Sequence, residues 1–253
     1  MSAEVERGYL VLADISGYTG YLAHTELDHA NEILADLIGV VVDALVPPLR
    51  LSEVEGDAVF AHGQLRRGET LLEVVEHAYV AFLRRRDLID ARTNCPCNAC
   101  LRIGSLELKF ILHLGEYVLQ ELGGRVNPVG SDVNLAHRLL KNGVAAEKGW
   151  QAYVLLTDPA RDATGLTTDG LHQRMESYEH LGDVSTSSYG LEDHWVSALS
   201  SEQPEVDAAN AQWSRSIGIE ASRRSSPEPI WRSPHVSWAL PGTDRPDGLP
   251  PRR

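Results

Sequence analysis

A chain of 253 residues with 43% hydrophobic residues holds one large domain or two small ones and buries a sizeable core without disulfides. Its 36 acidic against 23 basic residues leave a formal charge of -13 at pH 7, a field that repels polyanions and argues against nucleic acid or an acidic membrane surface as a partner. A small anion escorted by a divalent cation stays compatible with that charge. The longest apolar candidate, around 38–46, is broken by Asp43 and is too short to span a membrane, and residues 1–7 are too polar for a signal peptide. The expected location is therefore cytoplasmic.

Residues 8–15 form a nearly continuous apolar run ending at Ser16-Gly17, which predicts a buried strand running into a turn with Asp14 at its end. From about Thr25, Ala30, Ile33, Leu34, Leu37, Ile38, Val41 and Leu45 recur at helical spacing until Pro47-Pro48 stops them. Short strands at 51–55 and 58–62 flank Gly56-Asp57, a hairpin with Asp57 at its tip. Leu71, Leu72, Val75, Ala78, Tyr79 and Phe82 predict a second amphipathic helix, followed by the basic stretch 84–86 and a cysteine loop at 93–103. A strand at 106–115 comes next, then 116–122, a Gly123-Gly124 turn, and a helix from about Ser131 to Asn142 that follows Gly130 and is closed by Gly143. A strand at 152–157 and a terminal pair at 176–180 and 189–195 complete an α+β domain over 1–200. Beyond about Ser200 the composition turns to Ser, Pro, Glu and Arg without periodicity, so 201–253 reads as a poorly ordered tail. Trp213, Trp231 and Trp238 argue against a pure linker there.

Four blocks carry chemistry: Leu-Ala-Asp14-Ile-Ser-Gly-Tyr-Thr19, Glu53-Val-Glu-Gly-Asp57, Phe110-Ile-Leu-His113-Leu-Gly115 and Val129-Gly130-Ser-Asp-Val-Asn134-Leu-Ala-His-Arg138. In this order and at this spacing they resemble the catalytic domains of class III adenylate and guanylate cyclases, over about residues 8–196. The resemblance implies a ferredoxin-like βαββαβ core with added strands, two copies pairing head to tail as a homodimer with composite sites at the interface. It also implies that Asp14, Ile15 and Asp57 hold two Mg²⁺ or Mn²⁺ ions for attack of a ribose 3′-oxygen on the α-phosphorus of a nucleoside triphosphate. Read without it, Asp14 caps the Ser-Gly turn and Asp57 makes the hairpin. Asn134 and Arg138, four apart on one helix face, can reach one ligand; the resemblance gives them the ribose and the transition-state phosphate, for which the planar, permanently charged guanidinium is suited.

Two departures bear on activity. Glu53 stands where adenylate cyclases carry a lysine and guanylate cyclases usually carry glutamate; a carboxylate accepts from guanine N1–H and its amine but meets an acceptor at adenine N1. Its partner position is Asn127, so the pair favours GTP or another non-adenine nucleotide over ATP. The lysine that the family supplies near its last strands has no counterpart, since Lys148 is the last lysine of this chain; Arg174 or His180 are the substitutes at hand. The expectation is thus a nucleotidyl cyclase, against a degenerate cyclase-homology domain that binds nucleotide or a regulatory partner, and against a purely structural metal-clipped domain. Cys95, Cys97 and Cys100 lie outside the family pattern, in a window that suits a reduced compartment. They read either as three free thiols or as thiolate ligands of a structural Zn²⁺, with His77, His113 or a partner residue as the fourth. His113 reads as a packed strand residue.

Overall fold

The computed structural model describes residues 4–191 apart from Pro47; the tail expected at 201–253 and the end of the strand expected at 189–195 lie outside the described residues. In chain order the elements are β1 (Val5–Ser16), α1 (Tyr18–Leu22), α2 (Leu27–Leu45), β2 (Arg50–Glu55), β3 (Ala58–Gly63), α3 (Leu71–Arg92), α4 (Asn98–Leu101), β4 (Glu107–Leu122), β5 (Arg125–Val129), α5 (Ser131–Leu139), α6 (Val144–Lys148), β6 (Tyr153–Thr157), α7 (Asp158–Thr164), β7 (His172–Tyr178) and β8 (Gly182–Gly190). The sheet runs β2-β3-β1-β4-β6-β8-β7, with β5 paired to the far end of β4. Its first four strands are antiparallel to their neighbours, as a βαββαβ core requires, and β6 joins β4 in parallel.

The middle of β1, residues 8–13, is apolar without interruption because both faces of the sheet are covered there. Val11, Ala13 and Ile15 pack under α2 and α3, while Leu10 and Leu12 face α5 together with Phe60, Ile111 and Leu155. The stripe Ala30, Ile33, Leu34, Leu37, Val41 and Leu45 on α2 joins Val75, Ala78, Tyr79 and Phe82 of α3 in the first of these cores. α3 opens with a capping box in which Thr70 Oγ1 accepts from the Glu73 N–H and Glu73 accepts from the Thr70 N–H. Arg85 pairs with Asp36 of α2 at 2.6 Å, and Arg86 pairs with Glu107 at the start of β4 while donating to the Leu106 carbonyl at 3.0 Å.

Several boundaries differ from the sequence reading. α3 continues through the basic stretch to Arg92 because Leu83 and Ile89 keep its stripe on the core. The segments expected at 106–115 and 116–122 are one sixteen-residue strand. Gly115 does not end it: Gly115 pairs with Gly8, and a Cβ on Gly115 would stand 2.6 Å from Asp132 Cβ, so glycine serves close approach of α5. The helix expected to reach Asn142 stops at Leu139, and Gly143 opens α6 instead. The terminal strand pair forms, shifted toward the N-terminus as β7 and β8. Among the described residues no helix is long and apolar enough to cross a membrane.

Candidate active site

The register of the central strands builds an acidic cluster at one end of the sheet. β1 places Asp14 opposite Ala58 of β3 and opposite Lys109 of β4. Gly56 takes φ 62°, the left-handed conformation that costs glycine least, and the turn it makes delivers Asp57 beside Asp14. The Ile15 N–H donates to the Asp57 carbonyl at 3.3 Å, which fixes the hairpin tip to the end of β1. Lys109 Nζ lies 2.7 Å from Asp14 Oδ2, with both side chains mostly shielded from solvent. Burial, then the negative charge of Asp14 and a hydrogen bond with it, push the Asp57 carboxyl up to about 6, against the opposing pull of Lys109. Two crowded carboxylates with one ammonium against Asp14 still carry an excess of negative charge, and their oxygens are the donor chemistry of a Mg²⁺ or Mn²⁺ site. The Ile15 side chain is in the core, 2% exposed, so only its main-chain carbonyl is left to serve a cation.

A second group borders α5. Glu53 is paired with Phe60 and so points to the α5 face of the sheet, where its Oε1 lies 4.0 Å from His137 Nε2. β5 contacts β2, which brings the strand of Asn127 to the strand of Glu53. The Asn127 Oδ1 is buried and finds no donor among the described residues, an acceptor left for a ligand or a second chain. Asn134 and Arg138 are exposed on α5, whose inner face is anchored by Val133, Ala136 and Leu139. The start of α5 is held by Asp132, which accepts the Glu116 N–H at 2.6 Å. Val54, Val126 and Val129 are exposed on the same two strands, β2 and β5.

The remaining sequence candidates separate. Arg174 is not placed to replace the missing lysine: it pairs with Glu147 and, at 2.8 Å, with Glu176, on the outermost strand of the sheet. His180 is exposed in the β7–β8 turn with φ 67°. His113 is 5% exposed, bonded through Nδ1 to Thr157 Oγ1 at 2.7 Å, and burial lowers its pKa, so it is a neutral packed residue. The three cysteines gather on His29 of α2, at 3.2, 3.6 and 3.9 Å from its Nδ1 for Cys97, Cys95 and Cys100. Their companion is therefore neither His113 nor His77, which is exposed on α3. Sequence reading missed Lys109 and His29, because each meets its partners only across the fold. A cavity of about 500 Å³ lies elsewhere, lined by Arg7, Gln64, Glu69, Thr70 and Thr164, and shares no residue with either group.

The family described as "Protein of unknown function (DUF2652)" matches residues 34–148. A bacterial light-regulated adenylyl cyclase superposes with a TM-score of 0.56 at 10% identity, covering 74% of this chain and 52% of that one, so the chain spans about half its length. The guanylyl cyclase Cya2 superposes with a TM-score of 0.53 at 16% identity, over 75% of this chain and 95% of that one. The guanylate cyclase domain of RhGC from Catenaria anguillulae, in complex with GTP, superposes with a TM-score of 0.50 at 16% identity, over 74% and 97%. The fold is that of nucleotide cyclase catalytic domains. In sequence, the chain is 30% identical over 185 residues to the uncharacterized protein Rv2561/Rv2562 of Mycobacterium tuberculosis, a match over 68% of this chain and 76% of that protein. The chain belongs to the same family as that mycobacterial protein.

Proposed function

We propose that this domain is a class III-like nucleotidyl cyclase, working as a head-to-tail homodimer and converting GTP or another non-adenine nucleoside triphosphate to a 3′,5′-cyclic monophosphate and pyrophosphate. The observation that carries the reading is the convergence of Asp14 and Asp57, from a strand end and a hairpin tip, on one half-buried spot. Divalent cations held there would supply charge neutralisation at the triphosphate and acidify the attacking hydroxyl. The chain's own part is positioning. Glu53 and Asn127 of the second copy read the base edge, Asn134 orients the ribose, and the exposed Arg138 offers its fork to the phosphate oxygens. The exposed valines on β2 and β5 and the unpaired Asn127 Oδ1 support a second copy seated on that side. The test is to incubate the purified protein with ATP, GTP, CTP and UTP in Mg²⁺ and in Mn²⁺ and to look for cyclic product by mass spectrometry, with Asp57→Ala as control. Product from one nucleotide, lost in the variant, is the expected result; none from a folded dimer would sink the enzyme reading.

One observation favours a second reading, a nucleotide-binding or regulatory module without turnover. Lys109 already sets an ammonium against Asp14 where a cation would be wanted, and Arg174 is committed to Glu147 and Glu176. Removing the ammonium with Lys109→Met is expected to tighten Mn²⁺ binding at least tenfold, about 1.4 kcal/mol, since a unit charge at this range is worth several times that at an effective dielectric of about 20. Calorimetry or manganese spin resonance measures it. Unchanged affinity would mean that the lysine swings clear and does not compete, which returns weight to the cyclase.

A further inference from the structure

His29, Cys95, Cys97 and Cys100 bring one imidazole nitrogen and three sulfurs to within 4.8 Å of one another. A tetrahedral Zn²⁺ with Zn–S of about 2.3 Å and Zn–N of about 2.0 Å needs N···S edges of about 3.5 Å. The three measured edges from His29 Nδ1, 3.2, 3.6 and 3.9 Å, straddle that value. Donors this close leave room for one ion at their centre and not for a multinuclear cluster. We propose that these four side chains form a closed, structural Zn²⁺ site, independent of the Asp14–Asp57 centre.

The surroundings are those of a built site. Cys97 caps α4, and its sulfur accepts the Cys100 N–H at 3.4 Å, which fixes the two cysteines relative to one another. The loop is further held from below: Glu26, just ahead of α2, accepts from the Ala99 N–H at 3.1 Å and from Asn98 Nδ2 at 3.2 Å, and Tyr21 Oη donates to the Ala99 carbonyl at 2.9 Å. Cys100 is 6% exposed and Ala99 is fully buried. Three cysteines beside a histidine suit metal ligation better than pairing, because any disulfide among them leaves a third sulfur and an imidazole in the same cage. All four coordination positions are filled by protein, so no open position remains for a substrate and the role is structural. What the ion would hold is the segment leading out of the acidic centre. α1 follows Asp14-Ile15-Ser16 directly, and a Cβ on Gly17 would stand 3.1 Å from the Ser105 carbonyl just past the cysteine loop. The zinc thus clips α2 and the α3–β4 connection together beneath the β1–α1 turn.

The experiment is metal analysis of the full chain purified under reducing conditions without chelator. About one equivalent of zinc per chain is expected, retained in Asp57→Ala and lost in His29→Ala and Cys97→Ser. Because those variants also risk losing the fold, the wild-type protein is stripped with a chelator and titrated with Co²⁺, which is expected to give the intense visible bands of tetrahedral cobalt with thiolate ligands at a one-to-one endpoint. A folded, reduced wild-type chain holding negligible zinc and giving no tetrahedral cobalt spectrum overturns the site. A disulfide among the cysteines of the protein as purified overturns it too. A folded His29→Ala chain that keeps full zinc removes His29 from the ligand set and with it the clip to α2.

Discussion

Asp57→Ala is expected to abolish cyclisation and Arg138→Ala to leave only a small residue of it, and mixing the two impaired proteins is expected to restore about a quarter of wild-type activity. The fraction follows from symmetry: random pairing makes roughly half of the dimers mixed, and each mixed dimer has one intact site of two. In that site Asp14 and Asp57 come from the Arg138→Ala chain, while Arg138 comes from the other. Loss of the arginine alone should cost about 10²- to 10³-fold, the usual effect of removing one preorganised group from a transition-state charge. The chain carrying both substitutions, mixed with wild type, gives no intact site in its mixed dimers, so it should lower activity instead of raising it. Failure of the two single variants to complement, while each is folded and dimeric, would place the whole site within one chain. Asp57→Ala should not destabilise the metal-free fold, because it removes a carboxyl that burial, and then the charge of Asp14, push up to about 6.

Gly115→Ala is expected to be the most damaging conservative substitution, lowering stability by about 3 kcal/mol, the upper part of the range for overpacking. The added methyl would meet Asp132 at its Cβ and Cγ, both 2.6 Å away, and not only at the free end of the side chain. α5 would have to move off β4, breaking the bond from the Glu116 N–H to Asp132. Since α5 also carries Asn134 and Arg138, activity should fall further than the folded fraction does. Thermal unfolding with parallel assay separates the two effects; a melting temperature within a degree or two of wild type would show that the helix is not seated on Gly115.

What the sequence made legible was whatever depends on near neighbours. The β1 run, the α2 stripe and the Gly56-Asp57 hairpin are local patterns, and they appear where expected. β4 was divided in two because Gly115-Glu116 resembles a strand end, whereas the glycine answers to Asp132, seventeen positions later (132 minus 115). α1 and α7, of five and seven residues, are too short to show a helical repeat. The same divide runs through the candidate site. Asp14 and Asp57 mark themselves by standing at a strand end and a hairpin tip, but Lys109 becomes part of their cluster only through the β1–β4 register. His29 lies on an ordinary amphipathic helix, 66 residues before Cys95, and no spacing rule reaches that far.

The β1–β4 ladder also sets the order in which this chain can find itself. Ser16 stands opposite Glu107, and closing the loop of roughly 90 residues between them is a large entropic step for contacts that repay it late. The His29–Cys95 approach sits inside that loop. An ion held there would shorten the span still to be closed to roughly 25 residues, lowering the closure cost by about 1 kcal/mol. A nascent chain able to capture zinc would therefore gather its two central strands sooner than one that cannot, and would keep their apolar edges exposed for less time.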